Sequence, residues 1–122
     1  DITIVSWSAQ VGVCLDAAGT LDAAGVSAEV IDLRSLSPID YAPIIASVQK
    51  TGRLIVAQEA PGHASVGSEI AATIAERAFY SLEAPVLRVS GFDTPFPPAK
   101  LEGNFLPDAD RILEAVDRAL SY

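Results

Sequence analysis

The chain has 122 residues, half of them apolar, and a formal net charge of −8 at pH 7. This length and apolar content predict one folded domain with a single substantial core, and they exclude a disordered segment. The negative charge disfavours nucleic acid and anionic membrane surfaces as partners, and it favours a basic partner or simple solubility.

Three further features of the composition bound the interpretation. The single cysteine, Cys14, excludes an internal disulfide bond and is typical of a reducing compartment. No apolar run approaches the roughly 18 to 20 residues that a membrane-spanning helix needs, and the residues after Asp1 do not resemble a secretory signal. The chain contains no methionine, so we expect it to be a piece of a longer protein.

The first part of the chain predicts a strand, a helix and a second strand. Residues 2–6 form the first strand, and the helix that follows begins near Ser8. The helix ends at Ala24-Gly25, because glycine tolerates the left-handed conformation after a helix. Residues 28–33 form the second strand. The inner stripe predicted for the helix is Val11, Cys14, Leu15, Ala18 and Leu21.

The middle of the chain repeats this unit. Asp40 is the predicted N-cap of a second helix that closes at Thr51-Gly52. Its apolar face is Tyr41, Ile44, Ile45 and Val48. Residues 54–57 form the third strand, residues 59–65 a polar turn, and residues 67–78 a helix with a stripe of small and apolar side chains.

The last part of the chain departs from this alternation. After a fourth strand at residues 85–90, residues 91–107 are rich in proline and show no clear period. A loop of this length without regular structure is usually functional or packed against a partner. Asp108 then caps a final helix, whose apolar face is Ile112, Ala115, Val116, Ala119 and Leu120.

Alternating strands and helices predict the fold class. The strand segments are continuously apolar, which is typical of strands that are covered on both faces of a parallel sheet. We therefore expect an α/β fold, a three-layer α/β/α sandwich around a mostly parallel (mixed) sheet.

The residues contain no complete catalytic or phosphate-binding signature. No G-x-G occurs, no Gly-Lys-Ser/Thr follows a glycine-rich turn, and one histidine with one cysteine cannot form a metal cluster. The turn at residues 63–67 is similar to a nucleophile elbow, but His63 stands where glycine is required, and a second histidine for a triad does not exist. We therefore assign no catalytic, cofactor-binding or metal-binding residue.

Individual polar residues have structural explanations as well as functional ones. His63 follows the third strand, where open sheets place ligands, although an exposed or interface histidine is the simpler interpretation. Glu59 and Glu69 are a candidate acid–base pair. The alternative is that Glu69 stabilises the first turn of its helix and Glu59 binds turn amides. Cys14 is interpreted as a core residue.

Six short motifs, in a fixed order, cover nearly the whole chain. They are residues 30–38 (VIDLRSLSP), 50–54 (KTGRL), 59–61 (EAP), 67–71 (GSEIA), 82–85 (LEAP) and 93–97 (DTPFP). With these motifs the chain resembles the C-terminal domain of the transketolase-like, thiamine-dependent enzymes. More narrowly, it resembles the beta subunit of the decarboxylating component of 2-oxo acid dehydrogenase complexes.

The resemblance implies cofactors and partners that lie outside this chain. In such beta subunits, thiamine diphosphate and magnesium are held by an N-terminal domain and by the alpha subunit, and not by the C-terminal domain. The implied partners are the N-terminal domain of the same beta subunit, the alpha subunit, a second beta subunit and the subunit-binding domain of the dihydrolipoyl acyltransferase. The chain by itself is expected to be inactive. Its implied location is the cytoplasm in a bacterium and the mitochondrial matrix in a eukaryote.

The resemblance also implies site residues. Glu83 and the terminal carboxylate of Tyr122 match the acidic positions at which the family docks the basic subunit-binding domain, in agreement with the net charge of −8. A solvated loop carboxylate is the alternative for Glu83. The candidate interface residues are His63, Phe92, Asp93 and Phe96. Residues 91–97 are more similar to branched-chain than to pyruvate enzymes.

Two other interpretations remain open. One is the C-terminal domain of a transketolase or a deoxyxylulose-phosphate synthase, which the motifs at residues 82–85 and 93–95 disfavour. The other is a stand-alone flavodoxin-like ligand-binding or regulatory module without catalytic activity, which predicts a monomer with a small-molecule pocket at the carboxyl ends of the strands. The dehydrogenase interpretation instead predicts exposed apolar surface on residues 91–107 and on the last helix.

Overall fold

In a computed structural model that describes all 122 residues, strands and helices alternate as the sequence predicts. The strands are β1 (Ile2–Ser6), β2 (Ala28–Asp32), β3 (Leu54–Pro61) and β4 (Leu87–Gly91). The helices are α1 (Gln10–Ala23), α2 (Ala42–Thr51), α3 (Val66–Arg77), α4 (Glu102–Phe105) and α5 (Ala109–Leu120). Single 3-10 turns lie at Phe79–Ser81 and Ala99–Leu101.

The four strands form one sheet in the order β2-β1-β3-β4. Every pair is parallel, and the central strand β1 places Ile4 opposite Val30 of β2 and Ile55 of β3. The α/β class and the parallel arrangement are therefore confirmed. No antiparallel strand is found within this chain, so its own sheet is parallel rather than mixed.

Helices cover both faces of the sheet, which confirms the three-layer sandwich. Ile4 and Ile55 pack with α1 and α5 on one face, whereas Val5 and Val56 pack with α2 and α3 on the other. Because both sets of side chains are fully buried, these strands are apolar at successive positions and do not alternate with polar residues.

A hydrogen-bonded series of side chains joins α2 to the first two strands. The buried hydroxyl of Thr3 lies 2.6 Å from the hydroxyl of Ser47 and 2.7 Å from that of Thr51. Ser47 in turn donates to Glu29 Oε2 at 2.6 Å, and Lys50 Nζ lies 2.5 Å from the same oxygen. These contacts satisfy the polar groups that α2 brings to the sheet.

The buried face of α1 differs from the predicted stripe. Gln10, Cys14, Ala17 and Leu21 are buried, whereas Leu15 is 57% exposed. Gln10 fixes this orientation, because its side-chain amide donates to the carbonyl of Pro107 at 3.0 Å in a buried position. Apolar residues occur on most sides of α1, so the sequence did not define a single stripe.

Other differences from the predicted boundaries are small. β4 begins at Leu87 and not at residue 85, since Pro85 has no amide hydrogen to donate to a neighbouring strand. Residues 91–107 are not entirely irregular, because they contain the turn Ala99–Leu101 and the short helix α4. Asp40 Oδ1 accepts from the amide of Ala42 at 3.0 Å, although the N-cap position itself is Tyr41.

Candidate functional site

The residues singled out from the sequence lie at the two opposite ends of the parallel strands. Glu83 precedes β4, and Tyr122 follows α5, whose last turn contacts Arg53 at the start of β3. These residues therefore lie at the amino-terminal ends of the strands. His63 follows β3 and residues 92–96 follow β4, so they lie at the carboxyl-terminal ends of the strands.

Glu83 is an ordered carboxylate. Its backbone amide donates to the carbonyl of Gly52 at 2.8 Å, and its Oε2 forms an ion pair with Arg53 Nη1 at 2.6 Å. The Glu83 side chain is nevertheless 64% exposed, whereas that of Arg53 is only 20% exposed. The carboxylate is therefore fixed in position and still accessible to a second cationic group.

Gly52 makes this position of Glu83 sterically feasible. It ends α2 in the left-handed conformation with φ of 73°, which favours glycine. A Cβ atom at this position would lie 2.8 Å from both Cγ and Cδ of Glu83. The Glu83 side chain thus packs directly over a backbone that only glycine fits without rearrangement.

Arg53 connects Glu83 to the end of α5. Its Nε donates to the carbonyl of Ala119 at 3.1 Å, and Tyr122 follows three residues later with 69% exposure. Both predicted docking residues are therefore brought to the amino-terminal ends of the strands. Sequence reasoning did not single out Arg53. Its place in the motif at residues 50–54 was the only local signal, because its partners lie 30 and 66 residues away along the chain.

His63 and Asp93 lie close together at the carboxyl-terminal ends of β3 and β4. The backbone amide of His63 donates to Asp93 Oδ1 at 3.3 Å, whereas the imidazole is exposed and makes no hydrogen bond within the chain. This arrangement agrees with the simpler interpretation of an exposed or interface histidine. It gives His63 no nucleophile to activate.

Phe92 and Phe96 pack on the buried ring of Phe105. The ring centroids lie 6.2 and 5.2 Å from that of Phe105, both in edge-to-face geometry. Phe92 and Phe96 remain 51% and 59% exposed, and Leu101 is 52% exposed. The predicted exposed apolar surface on residues 91–107 is therefore present. The same prediction for the last helix is wrong, because α5 buries Ile112, Ala115, Val116 and Ala119.

The turn after β3 is held by Gln58 and not by Glu59. Gln58 Oε1 accepts from the amide of Gly67 at 2.8 Å, and its Nε2 donates to the carbonyls of Ala60 and Pro61. Ser65 caps α3 by accepting from the amide of Ser68 at 3.3 Å. Ser65 thus has a helix-capping role, and the expectation that Glu59 binds turn amides is wrong.

The remaining candidate residues show no catalytic or metal-binding arrangement. Cys14 is fully buried and unpaired, and burial raises the pKa of its thiol despite an opposing hydrogen bond with Ser6. No three His, Cys, Asp or Glu side chains gather where they could hold a metal ion. None of the helices has the length and apolar character required to cross a membrane.

These features define a class of protein domain: a parallel three-layer α/β/α sandwich with an ordered carboxylate at the amino-terminal ends of the strands and exposed aromatic rings at the carboxyl-terminal ends. Residues 1–112 match the family described as the transketolase C-terminal domain, and the chain belongs to this family.

Curated relatives extend the match over the whole chain. The chain is 70% identical over 122 residues to the pyruvate dehydrogenase E1 component subunit beta of Leifsonia xyli subsp. xyli, covering 100% of this chain and 36% of the relative. It is 50% identical over 121 residues to the 3-methyl-2-oxobutanoate dehydrogenase subunit beta of Mycobacterium tuberculosis, covering 98% of this chain and 35% of the relative. The chain therefore spans about a third of the length of the curated relatives it matches.

A solved structure supports the fold. A 2-oxoglutarate:ferredoxin oxidoreductase from Magnetococcus marinus, solved with 2-oxoglutarate, coenzyme A and succinyl-CoA bound, superimposes with a TM-score of 0.59. The match covers 98% of this chain and 18% of that chain at 15% sequence identity, so it shows a shared fold and nothing further.

Proposed function

We propose that residues 1–122 form the C-terminal domain of the beta subunit of a thiamine diphosphate-dependent 2-oxo acid dehydrogenase. In the parent enzyme the domain supports subunit assembly and docks the basic subunit-binding domain of the dihydrolipoyl acyltransferase. The parent enzyme oxidatively decarboxylates a 2-oxo acid and transfers the acyl group to a lipoyl group. Family membership and the beta-subunit names of the relatives support this proposal.

The ordered carboxylate of Glu83 carries the docking part of the proposal. It is fixed by Arg53 and Gly52 yet 64% exposed, so a basic partner meets a carboxylate that has little conformational freedom left to lose. Tyr122 contributes an exposed side chain at the same ends of the strands. Charge-assisted bonds from arginine to carboxylate oxygens are short and strong, which suits recognition of a basic domain.

We propose that the cofactor of the parent enzyme is held outside this chain. The acidic side chains and His63 form no group of three that could hold magnesium, and no glycine-rich turn offers a diphosphate cradle. We therefore derive no chemical step through these residues. The proposed partners that hold thiamine diphosphate and magnesium are the N-terminal domain of the beta subunit and the alpha subunit.

The substrate is proposed as a 2-oxo acid, with branched-chain acids and pyruvate as the two candidates. The names of the relatives divide between pyruvate and 3-methyl-2-oxobutanoate. The branched-chain preference suggested by residues 91–97 therefore stays a prediction. The exposed rings of Phe92 and Phe96 in that segment suit an interface with the other domains and subunits.

Co-assembly and turnover test this proposal. The full-length protein that carries this chain is co-produced with a candidate alpha subunit from the same genome, and activity is assayed with pyruvate and with 3-methyl-2-oxobutanoate. We expect a heterotetramer that turns over one of these acids and binds the isolated subunit-binding domain, with an affinity that falls as ionic strength rises from roughly 0.05 to 0.5 M. A monomer with no affinity for an alpha subunit would contradict the proposal and favour the stand-alone module.

A further inference from the structure

The outer edge of β4 has no strand partner. β4 lies at one margin of the sheet and pairs only with β3, on its inner side. An edge strand presents backbone amide and carbonyl groups that a further strand can bind.

A groove of about 360 Å³ follows this edge. Residues 86–90 line it at five consecutive positions, together with Gly62 and one side of α5. Since successive side chains of a strand point to opposite faces, a groove that contacts five consecutive residues runs along the edge of the strand and not over one face. Its long direction is therefore that of an added strand.

Three arginines concentrate positive charge in this groove. Arg88, Arg111 and Arg118 line it with a single carboxylate, that of Glu114. The whole chain has only 8 basic residues against 16 acidic ones, so the groove reverses the overall balance of charge. None of the three arginines belongs to an ion pair, because the ion pairs of the chain involve Arg34, Lys50 and Arg53.

Each arginine has hydrogen-bond donors that the chain leaves unused. Arg111 donates to the carbonyl of Ser90 at 2.6 Å, but its buried Nη1 has no hydrogen-bond partner. Arg88 uses Nη1 on the carbonyl of Gly62 and the hydroxyl of Ser68. The exposed side chain of Arg118 makes no hydrogen bond or ion pair within the chain. A guanidinium has five donors, so most of the donors in this groove are unused.

An apolar hollow of about 690 Å³ lies beside the start of the same edge. It meets the groove at Val86 and is lined by Ala71, Ala75, Phe79 and Leu82 on the α3 face of the sheet. Phe79 is 64% exposed and Tyr80 beside it is fully exposed. A strand added at β4 would therefore meet the arginines of α5 on one face, and on the other the apolar side chains of α3 together with Arg88, which donates to Ser68 of α3.

We propose that the outer edge of β4 binds an extended peptide segment of a partner protein, in which acidic and apolar side chains alternate. Main-chain hydrogen bonds to the β4 edge give this mode its affinity, and pockets for alternate side chains give its specificity. The acidic side chains face Arg111 and Arg118, and the apolar ones enter the hollow. Glu83 also lines the hollow, so this partner and the oppositely charged partner proposed for Glu83 would meet adjacent surfaces. The inference rests on the β4 edge and its arginines and not on the docking role of Glu83.

Peptide binding to the full-length protein that carries this chain tests the proposal. The probe is an acetylated, amidated octapeptide that alternates glutamate and valine, measured by fluorescence anisotropy and by amide hydrogen exchange. We expect slower exchange at residues 86–90. Arg118→Gln is expected to weaken binding by roughly fivefold. The matched control Arg34→Gln, whose side chain is 87% exposed beside β2 at the other margin of the sheet, is expected to leave the affinity unchanged.

Two control peptides separate strand addition from simple attraction of an anion. A peptide with glutamine in place of glutamate is expected to bind more weakly, and a peptide N-methylated at alternate residues is expected not to bind. If the N-methylated peptide bound as tightly as the unmodified one, or if inorganic phosphate alone displaced the unmodified peptide, the groove would be an anion site and the proposal would be overturned. Absence of binding, or exchange protection that excludes residues 86–90, would overturn it too.

Discussion

Arg53 holds Glu83 against the end of α2, with Nη1 of the arginine 2.6 Å from Oε2 of the carboxylate. The same guanidinium donates through Nε to the carbonyl of Ala119 at 3.1 Å, so one mostly buried cation joins three segments that are distant in the sequence. An ion pair with one exposed partner contributes modestly to stability, about 1 kcal/mol or less. Its main consequence is therefore the position of the carboxylate.

Gly52→Ala is expected to lower the free energy of unfolding by more than the cost of placing alanine in the left-handed conformation. The left-handed conformation costs a non-glycine residue about 1–2 kcal/mol, and the new Cβ would in addition displace Glu83, whose Cγ and Cδ would lie 2.8 Å away. The free energy of unfolding in urea measures the sum. Gly25→Ala is the matched control, since Gly25 has φ of 81° but nothing within 4 Å of the added atom. Equal losses at the two glycines would contradict the close packing of Glu83 on Gly52.

Phe105→Ala is expected to cost about 3 kcal/mol in the free energy of unfolding, the lower end for a buried phenylalanine, because its neighbours are partly exposed. The ring of Phe105 is 5% exposed and supports the rings of Phe92 and Phe96. Phe96→Ala, which removes a ring that is 59% exposed, is expected to cost about 1 kcal/mol or less. If the two variants unfolded at the same urea concentration, Phe105 would not be the centre of this cluster.

Acid is expected to remove a stabilising contribution of Glu29. Hydrogen bonds from Lys50 and, second, from Ser47 hold the pKa of Glu29 below its ordinary value. Because the folded pKa lies below the unfolded one, this contribution is present above the unfolded pKa and is lost as the pH falls through the folded pKa. Lys50→Gln is therefore expected to flatten the dependence of Tm on pH below roughly pH 5.

Lys100→Gln serves as the control for this measurement, since Lys100 is exposed and belongs to none of the ion pairs of the chain. A pH profile that Lys50→Gln leaves identical to that of the unmodified chain would show that the Lys50–Glu29 pair does not contribute.

The sequence predicted the layers of the fold because each buried strand is continuously apolar, as at residues 54–57. Helix α5 was also predicted correctly as an element, since Asp108 accepts from the amide of Arg111 at 2.9 Å and the apolar stripe faces the core. The buried face of α1 was not predictable, because its orientation depends on a hydrogen bond from Gln10 to a residue 97 positions away.

The candidate site was predictable only as a set of separate residues. Glu83 was identified from its motif, but the motif does not reveal that Arg53 and Gly52 fix its carboxylate. The burial of Phe105 among exposed rings likewise depends on the path of residues 91–107, where proline and glycine remove the regular periods that predict a helix or a strand. Such contacts follow from the tertiary fold and leave no local pattern.

The most direct test of the docking role compares two substitutions at one ion pair. Affinity for the basic subunit-binding domain is measured by calorimetry with the assembled enzyme that carries Glu83→Gln or Arg53→Gln. The control is Asp110→Asn, which removes an exposed charge from the first turn of α5, two residues after its N-cap. Loss of the carboxylate is expected to weaken binding roughly tenfold, about 1.4 kcal/mol, whereas loss of Arg53 leaves the carboxylate in place but free to rotate and is expected to weaken binding by less. Equal weakening by both variants would show that the ion pair only supports the fold, and unchanged affinity in Glu83→Gln would contradict the docking role.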